Sequence, residues 1–277
     1  MSTVQRIAAG PAWPLWRAAQ APAQERLAQA TTTEPLMDRA GLAAARLALA
    51  LAPHAQRLWI ACGPGNNGGD GFEAARHLQA WGHAPVVTWL GDEAHLPADA
   101  AASLARARAA GVAFADTPPD DWDLAVDALL GLGARRPLEG RGARWREALA
   151  ASSAPVLAVD LPSGLDADTG QGEAVRATHT LALLTLKPGL FTAQGRDASG
   201  EVWFDDLGIA PAVAPTALLA PAPATADRPH ASHKGSWGDV AVVGGAPGMT
   251  GAALLAGAGA LHGGAGRVFV GLLDGGS

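Results

Sequence analysis

Apolar and polar positions along this chain follow two rhythms in turn. Short apolar runs, Leu58–Cys62, 85–90 (PVVTWL), 122–130 (WDLAVDALL), 155–162 (PVLAVDLP), 178–185 and 201–204, have the length and flanking breakers of buried strands. Between them lie stretches with apolar residues at helical spacing. Residues 13–30, 35–51 (Leu36, Ala40, Ala43, Leu47, Leu51), the segment from Phe72 to Leu78, 98–110 and 143–151 are read as helices, with Pro35 suited to a first helical turn. Strands alternating with helices predict an α/β fold: a Rossmann-like, doubly wound, mostly parallel sheet with helices on both faces. Residues 210–229 (APAVAPTALLAPAPATADRP) lack periodicity and read as a Pro/Ala-rich linker between a domain at 1–209 and a second α/β segment at 230–277. That segment begins with a strand at 239–244, a glycine turn, a helix to about 260 and a strand at 267–272. One strand–helix–strand unit cannot cover both faces of a parallel sheet, so it is expected to be an incomplete domain.

Composition narrows the class. Of the 277 residues, 49% are hydrophobic, enough for a large core, and the net charge of −6 without a basic run argues against nucleic acid. No uncharged run is long enough to span a bilayer, and the amino terminus, interrupted by Pro11, Pro14 and Pro22, does not look like a signal peptide. The single cysteine, Cys62, ends a buried strand and reads as a structural thiol in a reducing compartment. A cytoplasmic protein without a membrane partner is expected. The first two helices pack over the sheet or over a second copy, which leaves a homo-oligomer open.

The chemistry gathers at loops. Residues 63–71 (GPGNNGGDG) hold five glycines in nine residues between a strand and a helix. Glycine is needed there for positive φ or for close approach to backbone amides, and a helix start beside it receives phosphate. Gly63, Gly65 and Gly68 also satisfy G-x-G-x-x-G, with Asp92 some twenty residues on, the dinucleotide fingerprint of dehydrogenases. Against a redox role, Asp70 at the helix start would repel pyrophosphate, while Asn66 and Asn67 offer amide oxygens to a cation or a polar substrate. Ligands in such sheets bind beyond the carboxyl ends of the strands. Three loops fall there, 63–71, 127–140 and 160–170, carrying Asp70, Asp127 and Asp160. No Walker A sequence, HExxH, paired CxxC or G-x-S-x-G is present; His230 and His233 read as solvated, and DADTG at 166–170 as an acid-rich turn.

Three motifs in order and spacing, GPGNNGGDGFEAARHL, DALLGLGARRPLEG and VLAVDLPSGLDADTG, resemble the NAD(P)H-hydrate epimerase family, the YjeF amino-terminal domain, over roughly residues 13–209. The segment from His233 is similar to the opening of a ribokinase-like, ADP-dependent NAD(P)H-hydrate dehydratase. The resemblance implies a metabolite-repair isomerase acting on NADHX and NADPHX, nicotinamide nucleotides hydrated across C5–C6. It also implies a lyase activity in a longer bifunctional parent, which the 277-residue chain is not expected to show. By the same resemblance, Asn66, Asn67, Gly68, Gly69, Asp70, Gly131, Leu132, Gly133, Ala134, Arg135, Arg136 and Pro137 hold the nucleotide. Asp160 contacts its reacting part, and Asn67, Asp127 and Ser163 ligate a potassium ion. Carbonyl, carboxylate and hydroxyl oxygens with one charge among them suit a monovalent cation. Arg135 and Arg136 are phosphate partners by charge or solvated loop residues. Asp160 is expected to be the general acid and base at C6, with Asp70 a second candidate whose alternative is helix capping.

Two other readings stand beside this one. An NAD-binding oxidoreductase would bind unmodified NAD tightly and transfer hydride; a non-catalytic nucleotide-binding module would bind without turnover. Only an epimerase brings a pure R hydrate to the R/S equilibrium.

Overall fold

A computed structural model describes residues 4–8, 10–132, 137–221 and 228–273. In chain order the elements are β1 (Gln5–Arg6), β2 (Trp13–Leu15), α1 (Ala21–Thr31), α2 (Leu36–Leu51), β3 (Arg57–Cys62), α3 (Asn66–Ala80), β4 (Ala84–Trp89), α4 (Ala98–Ala109), β5 (Ala113–Ala115), β6 (Leu124–Ala128), α5 (Arg141–Ala151), β7 (Val156–Val159), β8 (His179–Leu183), α6 (Gly195–Ala198), β9 (Glu201–Asp205), β10 (Ala217–Leu219), β11 (Asp239–Gly244), α7 (Thr250–His262) and β12 (Arg267–Leu272). They form two compact units, Met1–Ala222 and Pro223–Ser277.

The first unit is built on an eight-stranded sheet in the order β1-β9-β8-β7-β6-β3-β4-β5. All neighbours from β9 to β5 are parallel, and β1 joins the edge antiparallel. Alternation along the central strands assigns the two faces. Leu58, Ile60, Cys62, Val126 and Leu157 pack with Leu47, Phe72, Leu78 and Leu104 of α2, α3 and α4. Trp59, Ala61, Ala125 and Ala158 face the other way, against Trp145 and Leu149 of α5. Strand order runs outward from β3 through β4 and β5, and in the opposite direction from β6 through β7 to β9. The reversal between β3 and β6 is a switch point, where the loops following the two strands part and leave a crevice.

The glycines of 63–71 serve this crevice differently from the expectation. None has positive φ, and α3 already begins at Asn66, so Gly68, Gly69 and Gly71 lie inside the helix. Their missing side chains let the helix press onto the strand ends. A Cβ at Gly63 would overlap the Leu129 carbonyl, one at Gly68 the Gly63 carbonyl, and one at Gly71 would crowd Cys62 and Ala128.

Two further expectations are corrected. Residues 13–15 are not helical: Trp13–Leu15 pairs antiparallel with Ala217–Leu219. Pro14 has no N–H to give a helix, and a short two-stranded ribbon tolerates it. The stretch expected as a linker from residue 210 therefore belongs in part to the first unit. Trp16 Nε1 donates to the Val213 carbonyl at 2.7 Å and the Ala212 amide to Gln24 Oε1 at 2.8 Å. In the second unit β11 and β12 pair in parallel around α7, and Arg267 grips Asp239 through two 2.7 Å hydrogen bonds across the first register pair.

The glycine contacts separate two neighbouring substitutions. Gly63→Ala is expected to lower stability by about 1–3 kcal/mol through overpacking against fixed backbone. Gly65→Ala, where an added Cβ meets nothing within 4 Å, is expected to cost under about 1 kcal/mol as a weaker helix cap. Thermal unfolding of the two variants checks the difference.

Candidate active site

The carboxyl ends of the parallel strands open into a cavity of about 1310 Å³. Its walls come from Pro64–Asn67 and Asp70 beyond β3, Leu129–Leu132 beyond β6, Asp160 beyond β7 and Leu183, Leu184, Thr185 and Lys187 at and beyond the end of β8, with α1 and the starts of α2 and α4 completing the rim. The chain is bent sharply at two of these ends. Asp160 has φ 64 and Leu184 φ 63, and each is the centre of a γ-turn: the Leu161 amide donates to the Val159 carbonyl at 2.8 Å, and that of Thr185 to Leu183 at 2.6 Å. Leu207, beyond β9, has φ 56 and also lines the cavity. Non-glycine residues in this region cost on the order of 1–3 kcal/mol each and persist where surrounding packing fixes them.

Asp160 is held from two sides. Its Oδ1 accepts the Leu183 amide at 3.2 Å and forms an ion pair with Lys187 Nζ, which also donates to the Leu183 carbonyl at 2.9 Å. The Lys187 side chain is only 2% exposed. Asp70 and Glu25 reach the same cavity. Burial pushes the Asp70 carboxyl well above the usual carboxylate range, with the charges of Asp160, Glu25 and Glu73 adding and Lys187 opposing. Burial also raises Glu25, the Asp160 charge adds to it, and Lys187 opposes.

Asp127 lies beneath this layer, fully buried on β6. Its carboxylate accepts the Ser163 hydroxyl at 2.5 Å, the Ser163 amide at 2.8 Å and the Leu129 amide at 3.3 Å. Among the described residues no cationic side chain pairs with it. Desolvation drives its pKa up to about 6, against the hydrogen bonds, which lower it. Ser163 Oγ also accepts the Leu130 amide at 2.8 Å, tying β7's loop to that of β6. Asn67 is buried beside Gly131, where an added Cβ would sit 3.2 Å from the Asn67 Cβ, and its Nδ2 has no hydrogen-bond partner.

Anion-binding capacity is concentrated at α3. Its cap, Gly65, contributes no side chain and its first turn holds no acid, so the amides of Asn66, Asn67 and Gly68 keep no intrahelical acceptor at the positive end of the helix dipole. The starts of α2 and α4 carry Asp38 and Asp99, which offset their dipoles.

Of the residues the sequence singled out, Asn66, Asn67, Asp70, Gly131, Leu132 and Asp160 line one cavity. Gly68 and Gly69 are buried behind it, Gly69 against Met37 and Ala100. Asp127 and Ser163 form one hydrogen-bonded cluster under the floor, and Pro137 is exposed. Gly133, Ala134, Arg135 and Arg136 lie outside the described residues. Asp70 does not cap α3, being four residues inside it. Asp92 sits away from the cavity lining and caps a short 3-10 turn through the Ala94 amide at 3.1 Å, so the dehydrogenase fingerprint loses its acid. Sequence reasoning missed Lys187 and Glu25. A lysine closing an apolar strand run (TLALLTLK) is the signal that pointed to the first; Glu25, on a polar helix face, gave none.

The carboxylate–His cluster Asp38, Glu73 and His77 lies elsewhere and is neutralised by arginines, with Arg76 Nε on Glu73 at 2.6 Å and Arg106 Nε on Glu73 at 2.7 Å. Among the described residues no helix is long and apolar enough to cross a membrane.

Comparison with known proteins follows the same outline. Residues 33–189 match the family described as YjeF-related protein N-terminus. A bifunctional NAD(P)H-hydrate repair enzyme of Escherichia coli is 38% identical over 253 residues, 86% of this chain and 49% of that protein. An NAD(P)H-hydrate epimerase of Rhodopirellula baltica is 42% identical over 184 residues, covering 63% of this chain and 75% of its own length. The chain thus spans about half the length of the bifunctional relatives it matches. The crystal structure of the yeast protein YNL200c shares the fold, with a TM-score of 0.56 at 23% identity over 63% of this chain and 82% of that one.

The burial of Asp127 sets a pH dependence. Its pKa in the folded chain, about 6, exceeds the unfolded value, so its contribution is full below about pH 4 and is lost as pH rises through about 6. In buffer whose only cation is tetramethylammonium, the stability difference between wild type and Asp127→Asn is expected to shift against wild type over that interval by on the order of 3 kcal/mol. Thermal melts of the two proteins across pH 4–8 measure it.

Proposed function

This chain belongs to the YjeF-related N-terminal family, and from that premise we propose that it interconverts the R and S epimers of hydrated NADH and NADPH at nicotinamide C6. The observation that carries the proposal is the Asp160–Lys187 ion pair, fixed by strained backbone at a strand end and opening into a cavity that also receives the bare start of α3. A dinucleotide carries a negative middle and a ring that becomes cationic during reaction. The cavity wall offers a partner for each charge: amides and a helix dipole for pyrophosphate, carboxyl groups for the ring.

C6 of the hydrated ring bears both a hydroxyl and the ring nitrogen. Loss of the hydroxyl with a proton leaves a cation stabilised by the nitrogen lone pair, and water returning to the other face gives the opposite epimer. Asp160 is the group proposed to handle these protons, since its carboxylate is oriented by two donors and faces the cavity. The exchange leaves every oxidation state unchanged, so the step needs no redox partner.

A potassium ion is part of the reading. Asp127 is a buried carboxylate without a cationic partner among the described residues, Asn67 brings a side-chain carbonyl oxygen on a buried amide, and Ser163 supplies a hydroxyl oxygen. Such hard oxygen donors, with one charge among them, fit a monovalent cation. Bound there, potassium would supply the counter-charge that Asp127 lacks and stiffen the loops beyond β6 and β7. The ADP-dependent dehydration of the S epimer is proposed only for a longer protein carrying the rest of the second unit; a single strand–helix–strand leaves that sheet uncovered, with Val243, Leu255 and Phe269 exposed. The one buried cysteine fits a reducing setting, and a cytoplasmic site of action belongs to this reading.

Incubation of pure R hydrate with the protein, followed by chromatographic separation of the epimers, is expected to yield the R/S equilibrium mixture. Asp160→Asn is expected to slow this by about 10²–10⁴-fold while nucleotide binding persists; normal turnover in that variant would remove Asp160 from the role. Replacing potassium by tetramethylammonium at pH 7.5 is expected to lower both the melting temperature and the rate, with a smaller effect on stability at pH 5, where Asp127 is protonated.

A further inference from the structure

Epimerisation moves a proton twice, onto the departing oxygen and off the returning water, and the cavity holds more than one carboxyl to do so. Asp160 leaves β7, whereas Asp70 rides on α3, which follows β3, and β6 runs between those two strands. Neighbouring strands stand about 4.8 Å apart, so the strands from which the two carboxyls are launched are separated by about 10 Å, room for a six-membered ring and a water. Carboxyl pairs that work with an intervening water are set wider apart than pairs that do not, for the same reason. Asp70 stands three and four residues beyond Asn67 and Asn66, on one face of α3 with them, and all three line the cavity. Its surroundings are unlike those of Asp160. Among the described residues no amide or side chain donates to Asp70, while Asp160 holds the Leu183 amide and the Lys187 ammonium.

We propose that Asp70 is a second catalytic residue, working with Asp160 from the other side of the nicotinamide ring; this rests on the epimerase reading. The Asp70 carboxyl, whose hold on its proton is strengthened by burial and by neighbouring carboxylates against the opposing charge of Lys187, donates that proton to the C6 hydroxyl. The C6–O bond breaks, its electron pair leaves with the oxygen as water, and the ring nitrogen lone pair forms the C=N⁺ bond. A water on the Asp160 side then adds to C6, closing the C=N⁺ electrons back onto nitrogen, and gives its extra proton to the Asp160 carboxylate. One proton has passed from Asp70 to Asp160 and one oxygen has been exchanged with solvent; release of the Asp160 proton to water in the cavity and uptake of one by Asp70 restore the starting protonation for the next turnover. A helix-cap role for Asp70 would explain none of this, since it lies past the first turn.

The test compares wild type and Asp70→Asn as full chains, with pure R hydrate in H₂¹⁸O between pH 5.5 and 9. In wild type, the inverted product is expected to carry ¹⁸O at C6 and kcat to fall on the alkaline side as Asp70 ionises. Asp70→Asn is expected to lose at least 100-fold in kcat with KM changed less than about threefold, and its residual rate should lack the alkaline fall. Asp70→Glu, which restores the carboxyl, should recover at least tenfold over the Asn variant and carries the test if the Asn protein does not fold. A kcat for Asp70→Asn within fivefold of wild type, retention of its alkaline fall, or no recovery in Asp70→Glu overturns the role of Asp70 while leaving the epimerase reading intact. Failure of wild type itself to epimerise would overturn that reading and this one together.

Discussion

The constraint on which the rest of the first unit depends is the close seating of α3 on the ends of β3 and β6. Gly63, Gly68 and Gly71 have no side chains where the Leu129 carbonyl, the Gly63 carbonyl and Cys62 come nearest. Because the helix sits so low, its first amides, Asn66, Asn67 and Asp70 all open directly above the switch point of the sheet rather than on a projecting loop. Rigid elements place side chains more reproducibly than loops do. A single steric allowance thereby fixes a helix start with free amides, a buried side-chain amide and a carboxyl in one wall.

Charge in this unit is handled in three ways, and the differences separate scaffold from site. Glu73 is fully buried but is held by Arg76 and Arg106, an arrangement that ties α3 to α4 and leaves no unmet charge. Asp160 is paired with one buried lysine and keeps an open side toward the cavity. Asp127 and Asp70 have no cationic partner among the described residues, and burial raises both. Removing charge from water without a partner is unfavourable, so the last two positions are those where an ion, a proton or a ligand changes the energetics most.

Much of this was legible in the sequence because it is locally encoded. Strands at 58–62 and 156–159 announce themselves as uninterrupted apolar runs, and 124–128 as a run broken only by Asp127, since a parallel strand is buried on both faces. Asp160 and Asp127 lie just beside or within such runs and are found by that position, whereas Ser163 is named by the family resemblance. What stayed hidden depends on contacts between distant segments. Pairing of Trp13–Leu15 with Ala217–Leu219 spans about two hundred residues and has no local mark. Lys187 becomes a site residue only because β8 lies next to β7, and Glu25 only because α1 reaches the rim. The glycine loop misled in mechanism, since composition cannot distinguish a need for positive φ from a need for close approach. Around the cavity the positive φ values fall instead on Asp160, Leu184 and Leu207, and leucine carries no such signature.

The ribbon of β2 and β10 bears on where this protein can be cut. It joins the two extremities of the first unit, and Trp16, Gln20 and Gln24 hold the incoming strand's flank through Val213, Ala214, Ala210 and Ala212. Excision at residue 209, where the last strand of the large sheet has already ended, would strip β2 of its partner and leave the Trp16 indole without its acceptor. A cut that keeps the ribbon whole falls after Leu219, and because β2 and β10 bring the two extremities of this unit together, it offers itself to circular permutation, with new termini opened in a surface loop far from the crevice.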